Sequence, residues 1–153
     1  MKHKHSFGFT IVELLIVIVV IGILAAITVV AYNGIQERTK ITSATSDMRN
    51  LYQAIIMARQ NTGKTLLGVT GNNCTRCATT ASFAVTIDKI SAASGMNLSD
   101  IKDGDPWGNE YFIDENEGES SASPCTRDGF KVVGQPSITA NNQFLIPYSL
   151  PGC

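Results

Sequence analysis

Histidine is nearly absent from this 153-residue chain: only His3 and His5 occur, both ahead of residue 8. The remainder therefore has no imidazole for a Ser-His or Cys-His nucleophile pair, or for a His-based metal site. No G-x-x-x-x-G-K-[ST] segment occurs, which excludes phosphate-loop nucleotide chemistry. Lys and Arg are dispersed and the formal net charge is −1, so nucleic-acid binding is not indicated. Internal repeats and long charge runs are also missing. None of the five prolines falls between Phe9 and Gln60. Together these absences point away from an enzyme and toward a structural or binding role.

What the chain does have is a run from Gly8 to Ala31, GFTIVELLIVIVVIGILAAITVVA, whose only charged residue is Glu13. At about 1.5 Å per residue the stretch after Glu13 reaches roughly 27 Å, close to the hydrocarbon thickness of a bilayer. A carboxylate in such a segment costs several kcal/mol unless it finds a partner, which marks Glu13 as functional. A short leader containing Lys2 and Lys4 precedes the run. The positive-inside tendency puts that leader in the cytoplasm and everything after Ala31 outside. An ordinary secretory signal would carry its cleavage site after the apolar region, yet no A-x-A-like site follows Ala31.

The Gly8-Phe9 junction, the apolar run and Glu13 together resemble the class III signal peptide of type IV pilins and type II secretion pseudopilins. That resemblance implies cleavage after Gly8 by a prepilin peptidase, methylation of the new Phe9 amino terminus, and retention of the apolar run. It also implies that Glu13 meets the Phe9 ammonium of a neighbouring subunit when helices pack in a filament core, setting the stagger between subunits. His3 and His5 fall in the discarded leader. Many relatives carry a proline shortly after the Ala-Ala pair, whereas Ala25-Ala26-Ile27-Thr28-Val29-Val30 has none, which removes the usual cause of local unwinding.

Beyond the membrane run, apolar residues continue at helical spacing through Ile41, Ala44, Met48, Leu51, Ile55 and Ala58. Asn61-Thr62-Gly63 then supplies a stop. The pattern predicts one helix over 9–61, apolar all round across 9–32 and amphipathic afterwards, with residues 1–8 as leader and 62–153 as a head. A loop from Gly68 to Arg76, a helix over about 79–94 ending at Gly95, and strands at 110–114, 130–134 and 143–149 are expected to follow. Pro147 implies an edge position or an early end for the last strand. The fold class is α+β: the long helix packed on a small antiparallel sheet, as in the pilin fold.

Asp105-Pro106-Trp107-Gly108-Asn109-Glu110-Tyr111 resembles the D-P-W-G-N-x-Y segment of pseudopilins and related pilins. Its Pro and Gly shape a turn into the first strand, and Trp107 is expected to fill the space between helix and sheet. In major pseudopilins the loop after this motif binds calcium, and Asp103, Asp105, Asp114, Glu115, Glu117, Glu119 and Asp128 are nearby here. Residues 115–124 nonetheless read as a solvated polar linker, so no cofactor is expected and calcium is the alternative.

Cys74, Cys77, Cys125 and Cys153 all lie on the outer side, where disulfides persist, and three pairings are possible. Cys74–Cys77 with Cys125–Cys153 is favoured, the second resembling the disulfide-bounded C-terminal loop of many pilins. A C-x-x-C redox motif and a four-cysteine zinc site are the competing uses. The overall expectation is a filament subunit, held in the cytoplasmic membrane as a single-pass precursor with its head outside, then assembled at the cell surface. Its implied partners are membrane lipid, other copies and related pilins, the peptidase, an assembly ATPase and a membrane platform. A pseudopilin of a secretion or DNA-uptake system is the alternative, and a monomeric anchored binding or redox module the second.

Overall fold

The computed structural model describes residues 8–71, 74–75, 82–134, 144–150 and 153. Its first element, α1 (Ile11–Thr62), is a single unbroken helix of 52 residues, as expected where no proline removes a backbone donor. The chain divides into two compact units, residues 1–39 and 40–153. In the first, the apolar side chains of α1 are exposed on every face, from Ile11 at 86% to Val20 at 48%. By length and composition this part of the helix can cross a membrane.

In the second unit α1 becomes amphipathic, and Ala44, Met48, Leu51, Ala54, Ile55 and Ala58 are wholly buried. Their i, i+4 and i, i+3 spacing keeps them on one stripe of the helix. That stripe packs with Leu66, Phe83, Ile87, Ile90, Leu98, Ile101, Tyr111, Ile113, Phe130, Val132 and Ile146 in one core. Burial of each large aliphatic side chain contributes about 1.5–3 kcal/mol.

Three short helices follow. Helix α2 (Leu66–Thr70) starts at Thr65, whose hydroxyl accepts from the Gly68 amide, and stops at Gly71 in the left-handed conformation. A loop was the expectation here, and the hydroxyl cap and glycine stop are what make one helical turn instead. Helix α3 (Phe83–Ser94) buries Phe83, Ile87 and Ile90 and ends at left-handed Gly95. Residues 79–81, its expected first turn, lie outside the described residues. Helix α4 (Ser99–Lys102), also unexpected, is a single turn that buries Ile101.

The sheet is antiparallel with order β1-β2-β3, formed by β1 (Phe112–Asp114), β2 (Gly129–Lys131) and β3 (Phe144–Leu145). The register pairs Ile113 with Phe130, and Phe130 with Phe144. Each strand is shorter than its expected span. β3 ends before Pro147 and lies on an edge, as that proline requires. On the far side of β1, the Thr75 amide donates to the Ile113 carbonyl at 3.0 Å, covering that edge. The α+β architecture expected from the sequence is the one observed.

Trp107 packs half-buried against the core, and Tyr111 sits deeper. It is fully buried, tilts against Phe83 at 6.2 Å between ring centres, and donates its hydroxyl to Asp47 on α1 at 2.9 Å. Its ring satisfies the core and its one polar atom reaches a partner, a combination open to Tyr. Replacing Tyr111 with Phe is expected to cost about 1–2 kcal/mol, and with Ala about 3–5 kcal/mol. Denaturant midpoints of the detergent-solubilised chain measure both; equal losses from the two would contradict this placement.

Candidate functional site: a capped apolar helix and a latched head

The N-terminal site is open. Gly8 has nothing near the position a Cβ would occupy, and Phe9 is 86% exposed. Immediately after it, Thr10 and Glu13 form a reciprocal cap. The Glu13 Oε2 accepts from the Thr10 amide at 2.9 Å and the Thr10 hydroxyl at 2.8 Å, while Thr10 Oγ1 accepts from the Glu13 amide at 3.2 Å. Such a box satisfies donors that the first turn of any helix leaves unpaired. A reading of Glu13 as a lone carboxylate misses this partner, although the T-x-x-E spacing is its signature. The structure thus brings Glu13 to Thr10 and leaves the Phe9 side chain and the Gly8-Phe9 bond uncovered.

In the head, the Asp105–Tyr111 segment is a tight turn organised by one carboxylate. Asp105 Oδ1 accepts from the amides of Trp107 at 3.0 Å and Asn109 at 2.8 Å. The Asp105 amide donates to the Asn109 carbonyl at 2.7 Å, and the Gly108 amide to the Asp105 carbonyl at 2.9 Å. Gly104 is part of this motif too, though it precedes the recognised residues. Its φ is +96°, and a Cβ there would lie 2.6 Å from the Asn109 carbonyl oxygen, so only glycine fits.

The segment expected as a solvated linker is exposed over 118–124, but its first residues are not: Glu115 and Glu117 are buried, as is Asp128. Glu117 and Asp128 explain how the C-terminal end is held. Arg59, in the last turns of α1, donates through Nη2 to Glu117 Oε2 at 2.7 Å, both side chains being buried. The same carboxylate accepts from the Ser149 amide, from the Ser149 hydroxyl at 2.9 Å and from the Leu150 amide at 2.7 Å. The Glu117 amide donates to Asp128 Oδ1 at 2.7 Å. Cys125 and Cys153 form a disulfide beside this latch, the pairing the sequence favoured. Cys74 is also disulfide-bonded; Cys77 lies outside the described residues. Among the described residues no cluster of three or more His, Cys, Asp or Glu side chains is arranged to hold a metal ion.

Glu115 differs from its neighbours. Both its oxygens are buried without a well-formed hydrogen bond, although the nearby Thr70 hydroxyl favours the charged form. Burial pushes its pKa up to about 8, with nearby Asp128 and Asp114 adding to the rise. Burial likewise raises Asp128 to about 6, although the Glu117 amide and Arg59 oppose the shift.

The N-terminal segment also carries the strongest likeness to known proteins. Residues 3–29 match the prokaryotic N-terminal methylation motif. The type IV major fimbrial protein FimA of Dichelobacter nodosus is 32% identical over 98 residues, 62% of this chain and 60% of the relative. These matches support a likeness to the type IV pilins and pseudopilins. The type IV major pilin PilA of Myxococcus xanthus is 45% identical over 47 residues, 31% of this chain and 21% of the relative. The type II secretion system core protein G of Pseudomonas aeruginosa is 33% identical over 57 residues, 37% of the chain and 40% of the relative. The chain thus spans at most 60% of the length of these curated relatives. No solved structure gives a significant match.

The raised carboxylates fix the sign of the head's pH response. The native state holds protons that the unfolded chain releases, so stability falls as pH rises from about 4.5 toward 8. The melting temperature of the solubilised chain is expected to drop across that window. Glu115→Gln should flatten the profile and melt above the parent near pH 8; an unchanged slope would show that Glu115 does not carry it.

Proposed function

We propose that this chain is a prepilin, the precursor of a structural subunit of a type IV pilus-like filament. The reading rests above all on the methylation motif across residues 3–29 heading a helix whose apolar residues are exposed all round. Apolar side chains at 50–86% exposure need lipid or other helices around them. The precursor waits in the cytoplasmic membrane with its head outside. A prepilin peptidase cuts the open Gly8-Phe9 bond and methylates Phe9. A membrane platform driven by an assembly ATPase then moves α1 out of lipid and into contact with other copies. The disulfides and the ion-paired latch protect a head that works outside the cell. The chain has no catalytic role in this scheme.

Glu13 acts twice. In the precursor the Thr10 cap satisfies its carboxylate. In the filament it attracts the Phe9 ammonium of an incoming subunit, an attraction that strengthens where water is excluded. A second reading is a pseudopilin of a secretion or DNA-uptake system, favoured by the match to the type II secretion core protein G and by the Asp105–Tyr111 turn. Both readings share processing and helix-driven assembly; they differ in where the filament ends.

The filament reading is tested at Glu13. Glu13→Ala is expected to insert into the membrane and be cleaved normally, yet enter sheared filaments at a small fraction of the parent's level. Normal filament yield from this variant would refute the reading, because a plain membrane anchor gains nothing from the carboxylate.

A further inference from the structure

The head carries two unused surfaces on different flanks of α1. The first is a groove of about 460 Å³ between α1 and the chain after β3, lined by Tyr52, Gln53, Ile56, Gln60, Pro147 and Tyr148 among others. It adjoins a second hollow lined by Arg49, Tyr52, Gln53 and Phe144. No acidic residue is among the described lining residues. Arg49 is exposed and forms no ion pair among the described residues, and Arg127 lies over the Tyr148 ring at 5.0 Å, adding a second cation to the rim. The groove therefore combines aromatic walls, free amides and uncompensated positive charge.

The second surface is the Asp105–Tyr111 turn and its surroundings. Asp100, Asp103 and Glu110 are exposed there, while nearby Lys102 is already committed to Asp88 at 2.7 Å. Asp103 and Glu110 flank the close approach of Gly104 to Asn109, which holds the two acids on one rigid projection. The bond from Tyr111 to Asp47 fixes this turn on the Asp47 flank of α1. At 100° per residue, Ile56 in the groove is about 180° around the helix from Asp47. Two complementary patches on opposite flanks cannot satisfy each other within one head. Between heads they form a heterologous, head-to-tail contact, the kind that propagates into an open helix rather than a closed dimer.

We propose that the acidic 103–110 turn of one copy docks in the α1 groove of the next, with Asp103 and Glu110 facing Arg49 and Arg127. This contact rests on the filament reading and names the surfaces through which heads meet. Opposite charges would set register between copies, and like charges would block docking.

The test is a charge exchange in full-length protein expressed in cells, read as sheared filament yield. Arg49→Glu alone, and Asp103→Lys with Glu110→Lys, should each lower yield by about tenfold. All three changes in one chain should restore it to within about twofold, since the attraction is re-formed with reversed sign. Undiminished yield from the first two variants, or no recovery in the combined chain, would overturn the contact. A crosslink separates this from failure of the filament reading: Gln53→Cys with Asn109→Cys in one chain should give a disulfide-linked ladder. A ladder in membranes of cells making no filaments would refute the filament reading and uphold the contact. Filaments without a ladder would refute the contact.

Discussion

An unbroken helix with two unequal burial problems organises this protein. Between Ile11 and the middle of α1, apolar side chains are exposed in every direction. From Ala44 onward one stripe alone is apolar, and the head exists to cover it. The first problem can be solved only from outside, by lipid or by other helices. The second is solved by a small sheet, helix α3 and a set of long-range polar contacts. The fold of the head follows from the second problem, and the proposed membrane insertion and assembly from the first.

The head is modest in regular structure, since its strands are two or three residues long. Polar contacts do what longer strands would otherwise do. Tyr111 ties the chain before β1 to Asp47. Glu117 ties the C-terminal segment to Arg59 through one carboxylate that serves a guanidinium, a hydroxyl and two amides. A buried charge so completely partnered holds geometry more than it adds net stability. Glu115 is the counterpoint: a buried acid with no well-formed bond, kept neutral across ordinary pH by its surroundings. The head therefore favours mildly acidic conditions.

What the sequence made legible was local or strongly periodic. The absence of proline and the 3.6-residue spacing of Ile41 to Ala58 gave the long helix, Gly95 gave the end of α3, and Pro147 gave the early end of β3. Cys125 with Cys153 was favoured among three possible pairings through its resemblance to the disulfide-bounded C-terminal loop of many pilins, and it is the bond observed. The misses were long-range or very short. Arg59 and Glu117 are 58 positions apart, and nothing local distinguishes that glutamate from a solvated one. Residues 115–124 read as a solvated linker, which holds for 118–124 but not for Glu115 and Glu117, whose burial depends on what folds over them. Trp107 drew attention by size and does pack against the core, but Tyr111 sits deeper. Helix α2 was hidden because five residues give no periodicity. At the N-terminus the Thr10–Glu13 box was readable from spacing alone, and it shows that Glu13 already has a partner before any second subunit arrives.

The most direct test of the account is the N-terminal sequence and intact mass of this chain in filaments sheared from native cells. The account predicts an abundant mature form that begins at Phe9, carries one added methyl group on its amino terminus and retains the whole of α1. A chain that still begins at Met1, or one missing from every filament preparation, would contradict it.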